Sequence, residues 1–373
     1  MADIQNIIKQ FSSIASNPRE VLDSYLAKGK KVVGCFPLYT PEELVHAAGM
    51  VPMGLWGGQA TPSLAGKYNP IFTCSIMRSC LEYGMTGAYK GLSCVMMPML
   101  CDTFRGMSAG WPAGVKDIPL IAFIHPQNRT DPGALAFMTG EYQAVRTQLE
   151  AIAGFSISNE ALTKAIDVYN EHSAVMRDFA SLANRHLDVI TPVVRHHVFK
   201  SATFIPKDEH TTLVRELMMA LRELPEVAWK GGKIILTGIT AEPDAFLEIF
   251  SENNIAVVGD DLAQESRQYR TPIPAGSDPV QRLAQQWLDR YGCSTAHEAA
   301  DSRGAMLVRM AKETGAQAVG VCLMRFCDVE EYDFPLIAAA CEDNSLRCLS
   351  LEIDQSTQEN GQSRTKIQSF AEM

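Results

Sequence analysis

Apolar positions along the chain follow two alternating patterns. Near the N-terminus, Ile4, Ile7, Ile8, Phe11 and Ile14 recur at helical spacing. Short apolar runs without polar alternation come next, and such runs are typical of parallel strands that are buried on both faces. The runs of the first half are 31–36, 50–56, 94–99 and 118–124. Because helical patterns separate these runs, the first half predicts βαβ units and a parallel sheet.

The middle of the chain has a different pattern. Residues 142–223 are almost purely helical in pattern, and strand and helix patterns then alternate again. The later predicted strands are 233–237, 255–259, 318–322 and 348–351, with helices at 243–251, 279–291, 303–314 and 332–342. We therefore expect an α/β fold with two Rossmann-like or flavodoxin-like parallel-sheet domains and a helical insertion between them. The predicted parts are an N-terminal α/β domain at 1–150, a helical segment at 151–228 and a C-terminal α/β domain at 229–373.

Local signals add detail to this outline. Thr40 and Glu43 have the spacing of a capping box, so we expect Thr40 to cap the helix that begins there. Residues 75–89 predict another helix. Residues 269–278 are rich in turn formers and predict an ordered loop or lid.

Composition and charge narrow the classes of function. The chain has 373 residues, of which 46% are apolar and 20% charged, as is ordinary for a globular protein. Lys and Arg number 33 against 43 Asp and Glu, which gives a net charge of −10. An acidic chain without a basic block is a poor ligand for nucleic acid or anionic membranes. The sequence lacks a secretory signal pattern and a run of about 18 apolar residues, which predicts a cytosolic protein outside the membrane.

Candidate chemistry rests on the ten cysteines, because the sequence has no GxGxxG, phosphate-loop or CxxC motif. Cys74, Cys101 and Cys327 each come just after a predicted buried run. In open α/β sheets, ligand sites gather outside the carboxyl ends of strands, and a helix N-terminus there favours a thiolate. From position alone, a three-cysteine metal site and three buried structural cysteines both remain open. The cysteines inside predicted strands and helices are expected to fill the core.

Several stretches resemble the motifs of one enzyme family. These stretches are 34–57, 72–77, 99–103, 259–267, 325–335 and 352–355. They span nearly the whole chain in order, and the chain resembles the β subunit of the 2-hydroxyacyl-CoA dehydratase family. Val329 departs from the family pattern, which has proline at this place, and the departure concerns only the local loop geometry.

The resemblance implies a subunit of an oxygen-sensitive hydro-lyase. The reaction it implies removes water from an (R)-2-hydroxyacyl-CoA through a ketyl radical and gives a 2-enoyl-CoA. Cys74, Cys101 and Cys327 would bind a 4Fe–4S cluster that relays the electron. The implied partners are an α subunit, which forms a heterodimer with this chain and holds most of the acyl-CoA, and an ATP-dependent iron–sulfur activator protein. Some relatives carry FMN, although no residue in this sequence indicates a flavin site.

Other polar residues are weaker candidates for a role in catalysis or binding. We expect Glu43 to be structural and His46 to be a satisfied helix histidine. Asp102 and Asp328, each beside a candidate cysteine, are expected to cap helices or to fix the cysteine loops.

Two further groups of residues leave alternatives open. His196 and His197 lie in a helical pattern and are expected at the surface or partly buried. Arg267 either pairs with a CoA phosphate or a subunit interface, or belongs to a plain salt-bridged loop.

Two other functions remain open beside the dehydratase. One is a low-potential reductase subunit of the related benzoyl-CoA reductase type, which shares the cysteine pattern and the activator. The other is a non-catalytic binding protein with two α/β lobes around a cleft.

Overall fold

Two parallel sheets form the framework of the protein. The computed structural model describes residues 2–298, 302–356 and 361–372. In these residues the first sheet contains β1 (Val32–Cys35), β2 (Val51–Gly54), β3 (Cys94–Pro98) and β4 (Leu120–Phe123). The second sheet contains β5 (Gly232–Gly238), β6 (Ile255–Leu262), β7 (Ala318–Met324) and β8 (Arg347–Ile353). All paired strands in both sheets run parallel, as predicted.

The two sheets have the same strand order. The first is ordered β2-β1-β3-β4 and the second β6-β5-β7-β8. In each sheet the chain first adds a strand on one side of its starting strand and then moves to the other side. This reversal opens a crevice at the carboxyl ends of the first and third strands. The predicted α/β fold with two Rossmann-like or flavodoxin-like sheets is therefore confirmed.

Helices connect the strands. In the described residues, the helices before the second sheet are α1 (Ala2–Ser16), α2 (Pro18–Ala27), α3 (Glu42–Ala47), α4 (Ser75–Thr86), α5 (Asp102–Gly114), α6 (Ala134–Ala153), α7 (Asn159–Ala183), α8 (Pro192–Ser201) and α9 (Lys207–Arg222). Those that follow are α10 (Asp244–Glu252), α11 (Pro279–Asp289), α12 (Ser302–Thr314), α13 (Asp328–Asp343) and α14 (Gly361–Ala371). Within the part of the chain that the structure describes, no helix has the length and apolarity needed to cross a membrane.

The core of the first sheet extends beyond the first half of the chain. Its apolar cluster joins Val33 and Val95 of the strands to Leu162 of α7 and Trp287 of α11. α11 thus follows the second sheet's β6 in sequence but packs against α6. A second apolar cluster joins α1 to α8 and α9. The domain boundaries near 150 and 228 stay a prediction.

The turn after β1 differs from the predicted capping box. Pro41, not Thr40, occupies the N-cap position of α3. Thr40 Oγ1 instead donates a hydrogen bond to Phe36 O at 2.8 Å. Leu38 and Tyr39 have φ values of 65° and 61°, in the left-handed region. The Thr40 hydroxyl closes this tight turn and does not cap the helix, so the capping-box prediction is wrong.

The loop predicted at 269–278 is held by side chains from two helices. Asn170 of α7 donates to the carbonyl of Ile273 at 2.9 Å and accepts from its N–H at 2.8 Å. Arg282 Nε of α11 donates to Pro274 O at 2.7 Å. These contacts fix the loop between α7 and α11.

Candidate functional site

Three cysteines occupy the same local position, the N-cap of a helix. Cys74 precedes α4, Cys101 precedes α5 and Cys327 precedes α13. Cys101 and Cys327 come after β3 and β7, which hold equivalent places in the two sheets. These two cysteines therefore lie at the crevice ends of their sheets, as expected.

The segment that precedes Cys74 differs from the predicted strand. Residues 71–73 form no strand, and a long loop with a short 3-10 helix at Ala65–Lys67 leads from β2 to α4. The apolar run before Cys74 belongs to a surface, because Ile71 and Phe72 are 79% and 66% exposed. A short apolar run has the same appearance in a sequence whether it is a buried strand or an exposed patch.

Burial dominates the electrostatics of the three thiols. Burial raises the pKa of Cys74 to about 11, although N–H groups in the first turn of α4 lower it in part. Burial likewise raises the pKa of Cys101 against the first-turn N–H groups of α5. The pKa of Cys327 is well above its ordinary value because of burial first, then Glu330, Cys74 and Cys101. All three cysteines pack against the same apolar cluster, the core of the first sheet.

This set of donors fits an iron–sulfur cluster. Cysteine thiolates are the usual protein ligands of such clusters, and helix N-termini carry partial positive charge toward a thiolate. Bound iron would supply the positive charge that three crowded thiolates require. In residues 2–298, 302–356 and 361–372, no three His, Cys, Asp or Glu side chains converge on a single metal-ion position. A four-iron cluster meets each thiolate through a different iron, so its ligands are spread more widely than those of one ion.

Glu330 fixes the helix that carries Cys327. It is the third residue of α13 and is fully buried. Its carboxylate accepts hydrogen bonds from Arg267 at 3.3 Å and from Arg303 at 2.8 Å. Burial opposes the ionisation of Glu330, but Arg303 and Arg267 outweigh it and hold the pKa of the carboxyl below its ordinary value. The first turn of α13 is therefore held by buried ion pairs.

Gln355 links the second sheet to the helix that carries Cys74. It lies just after β8, and its backbone N–H donates to the hydroxyl of Ser75, the first residue of α4, at 3.3 Å. Its side-chain Nε2 donates to Trp56 O at 3.1 Å and to Glu242 Oε2 at 2.6 Å. One buried residue thus joins the loops after β2 and β5 to the start of α4.

His196 and His197 are buried, so the prediction of surface or partly buried histidines is wrong. His196 Nδ1 lies 2.7 Å from Glu265 Oε1, and its Nε2 lies 3.4 Å from Glu242 Oε1. Burial opposes protonation of His196, but the two carboxylates outweigh it and raise its pKa to about 9. His197 Nε2 lies 2.9 Å from Asp244 Oδ2. Both faces of the helix are covered because α8 lies against α1 and α10.

Comparison with known proteins identifies the family. The family model described as 2-hydroxyglutaryl-CoA dehydratase, D-component, matches residues 37–373. The chain belongs to this family. The β subunit of lactoyl-CoA dehydratase from Anaerotignum propionicum is 43% identical over 376 residues, and the match covers 100% of both chains. The β subunit of (R)-phenyllactyl-CoA dehydratase from Clostridium sporogenes is 40% identical over 373 residues, again covering 100% of both chains.

Two further relatives of this dehydratase-family chain bear on its function. The β subunit of (R)-2-hydroxyglutaryl-CoA dehydratase from Acidaminococcus fermentans is 36% identical over 375 residues, covering 99% of each chain. A benzoyl-CoA reductase polypeptide from Thauera aromatica is 25% identical over 350 residues, covering 92% of this chain and 90% of that one. The predicted family and the prediction of a hydro-lyase subunit are confirmed.

The structure also shows the surroundings of three other polar residues of this dehydratase-family chain. Arg267 is buried and donates to both Asp261 and Glu330, so it belongs to a salt-bridged network and cannot reach a CoA phosphate or a subunit interface. Asp102 and Asp328 are the first residues of α5 and α13, because the cysteines before them occupy the N-cap positions. The predicted role as helix caps is therefore wrong, and the alternative, that these residues fix the cysteine loops, stays a prediction.

His46 and Glu43 lie on one short helix, α3. His46 is partly buried and packs edge-on against Tyr169, with ring centroids 6.0 Å apart. Burial lowers the pKa of His46 and raises that of Glu43 to about 7. No local pattern in the sequence indicates that Glu43 lines a cavity, as it does in the structure.

Exposed apolar side chains cluster in sequence around two of the cysteines. We call the set Ile71, Phe72, Phe326, Tyr332 and Leu336 the apolar rim. Phe72 lies two residues before Cys74 and Phe326 directly before Cys327, while Tyr332 of α13 is 80% exposed. Contiguous exposed apolar patches mark interaction surfaces, which makes the apolar rim a candidate for one.

Proposed function

We propose that this chain is the β subunit of an (R)-2-hydroxyacyl-CoA dehydratase. The reaction eliminates water from the thioester and gives a 2-enoyl-CoA through a ketyl radical. In this proposal Cys74, Cys101 and Cys327 hold a 4Fe–4S cluster that passes an electron and does not meet the substrate. The observation that carries the proposal is that these three cysteines are the N-caps of three helices and pack against one apolar cluster.

The cluster would supply a low-potential electron, and the chain would supply its setting. The three thiols are partly buried, and the helix N-termini stabilise their ionised form. Glu330 and Gln355 hold two of the three cysteine-bearing helices to the second sheet. A redox centre held by rigid elements needs little rearrangement when it takes up and gives back an electron.

The proposed assembly contains an α subunit as well as this chain. The apolar rim offers a surface beside the cysteines on which that subunit would pack, so that the electron crosses a short, dry path. The α subunit would hold most of the acyl-CoA, and an ATP-dependent iron–sulfur activator would deliver the first electron. FMN in the complex and a cytosolic location stay predictions.

The test is turnover by the purified αβ complex under strict anaerobiosis. With activator and ATP, we expect loss of water from 2-hydroxyacyl-CoA thioesters, followed as 2-enoyl-CoA by chromatography. The same complex assembled with Cys327→Ala is the control and should be inactive. Full turnover by the control complex would contradict the relay role.

A reductase acting on an aromatic thioester is the second candidate. The benzoyl-CoA reductase relative is the observation that favours it. Offering benzoyl-CoA to the same reduced complex separates the two, because only a reductase would consume it. Family membership favours an enzyme subunit over the non-catalytic binding protein.

A further inference from the structure

A small cavity lies apart from the three N-cap cysteines. Its volume is about 70 Å³, and its walls include Tyr39 after β1, Glu43 of α3, Tyr169 of α7 and Trp287 of α11, with Arg290 just beyond that helix. None of the N-cap cysteines lines it. Such a volume holds about five water molecules or one small organic molecule. We call it the Arg290 cavity.

Arg290 brings an unsatisfied positive charge to this cavity. The side chain is only 9% exposed, and its Nη1 has no hydrogen-bond partner in the part of the chain that the structure describes. Within that same part, no carboxylate forms an ion pair with it at 4.0 Å or less. The guanidinium carbon lies 3.8 Å from the centre of the Tyr39 ring. Buried arginines are ordinarily paired, so the free Nη1 of this one can accept an anion that enters the cavity.

Most neighbouring polar groups are paired with others, and Glu43 interacts with the charge of Arg290 without an ion pair at 4.0 Å or less. Lys207 and Glu42 pair with each other at 2.8 Å. Gln286 Nε2 donates to Thr271 O at 2.8 Å. Glu43 is a buried carboxyl with a pKa raised to about 7 by burial, so near neutrality its protonated form can donate a hydrogen bond into the cavity.

The turn that places Tyr39 against Arg290 is strained. Leu38 and Tyr39 are consecutive non-glycine residues with positive φ, a conformation that residues with a side chain rarely adopt. Such strain persists where the surrounding structure enforces it, and it concentrates at ligand clamps. The turn also lies at the carboxyl end of β1, next to the crevice where ligands of this fold class bind.

We propose that the Arg290 cavity binds a small aliphatic carboxylate, with its carboxylate paired to Arg290 and its hydrocarbon part against Trp287 and Ile273. The planar guanidinium fork matches the two oxygens of a carboxylate. Pockets for drug-sized ligands measure about 300–1,000 Å³, so this cavity is too small for a CoA thioester or a nucleotide. The site is separate from the proposed cluster and does not depend on it.

Calorimetric titration of the full-length chain tests the proposal. The probes are lactate, acetate and lactamide, with ionic strength held constant by sodium chloride. Lactamide has nearly the shape of lactate but no charge, so we expect saturable binding of lactate or acetate and none of lactamide. In Arg290→Met, carboxylate affinity should fall at least about tenfold, as loss of a charged hydrogen bond requires. The matched control is Arg309→Met, at an exposed position on α12, and it should bind as the wild type does.

Three results would overturn the proposal. They are no saturable binding of either carboxylate, equal binding of lactamide, and unchanged affinity in Arg290→Met. If Arg290→Met does not fold, Arg290→Lys replaces it, and the loss of the planar fork should still weaken binding. The comparison of lactate with lactamide on the wild-type chain needs no variant and decides the question by itself.

Discussion

Each candidate ligand is a cysteine that takes the place of an ordinary helix cap. N-cap positions favour Ser, Thr, Asp and Asn, whose oxygens accept hydrogen bonds from the first turn. A thiol performs that task poorly, and here Cys74, Cys101 and Cys327 all replace the usual cap with no side-chain cap hydrogen bond. Their helices give up some capping stabilisation, which is consistent with another role for the three thiols.

Replacing each candidate cysteine by alanine should remove the cluster. We expect iron and acid-labile sulfide in anaerobically purified Cys101→Ala to fall close to zero, because two thiolates hold a four-iron cluster poorly. Cys74→Ala and Cys327→Ala should behave in the same way. The measurement is iron and sulfide per chain.

Cys80→Ala is the matched control for this series. Cys80 lies on the same helix as Cys74, but it is fully buried and its Sγ lies 3.2 Å from Leu55 O. We expect its iron content to be unchanged and its stability to fall by at most about 1–2 kcal/mol from a small cavity. Loss of iron in this variant, with retention in Cys74→Ala, would move the ligand assignment to Cys80.

The charge of His196 should make stability depend on pH. Its pKa is raised to about 9 in the folded protein from an ordinary value of 6.5. The stabilisation is therefore complete below about pH 6.5 and is lost as the pH rises through 9, by about 3 kcal/mol in total. Urea unfolding of the wild type and of His196→Gln between these pH values measures the difference in the free energy of unfolding. If this free energy depends on pH in the same way in both proteins, His196 is not charged.

Some residues could be predicted from the sequence and others could not. The three cysteines stand in recognisable local motifs. Gln355 and Arg290 carry no such signal, because their meaning comes from distant contacts: Gln355 and Ser75 are 280 residues apart in the chain. The burial of His196 depends in the same way on α1 and α10, which no local pattern reveals.

At the level of elements, the first turn of α13 depends on one buried carboxylate. Glu330→Ala would leave Arg267 and Arg303 with fewer partners in a buried space. We expect a loss of about 3–5 kcal/mol in the free energy of unfolding, as for other broken buried ion pairs. Urea unfolding measures it.

Glu331→Ala is the neighbouring control for that change. Glu331 is exposed on the same turn, so its removal should alter stability by no more than about 0.5 kcal/mol. Equal effects of the two substitutions would mean that the buried network does not stabilise α13.

Most elements could be predicted because their strands are buried on both faces. β1, β3 and β7 are continuous apolar runs, and their predicted positions agree with the structure to within one or two residues. The apolar run before Cys74 is not a strand, and its two apolar side chains, Ile71 and Phe72, are exposed. A sequence pattern shows which residues are apolar. It does not distinguish residues of the interior from residues of an interaction surface.

For the whole molecule, we expect a stable complex with an α subunit through the apolar rim. Phe72→Ser should weaken this association at least about tenfold, as expected for loss of a buried aromatic contact. Phe155→Ser is the control, because Phe155 is also an exposed aromatic residue but lies just after α6. Light scattering or calorimetry measures the dissociation constant of each complex. If Phe72→Ser and Phe155→Ser weaken the association equally, the apolar rim is not part of the interface.

The complex should also be sensitive to oxygen. A cluster held by three protein thiolates leaves one iron without a protein ligand, and that iron can be lost on oxidation. Brief exposure to air should bleach the visible absorbance and abolish dehydration together. Full activity after overnight storage in air would count against the cluster.

The placement of the cysteines along the chain also determines when all three are present during biosynthesis. Cys74 and Cys101 lie in the first third of the chain, whereas Cys327 follows β7, close to its end. Chains fold from the N-terminus as they leave the ribosome. The first sheet can therefore form while the third thiol has not yet been made. If the proposed cluster is held by all three thiols, it would be loaded only after the second sheet has formed, and its donor would recognise the finished fold rather than the nascent chain.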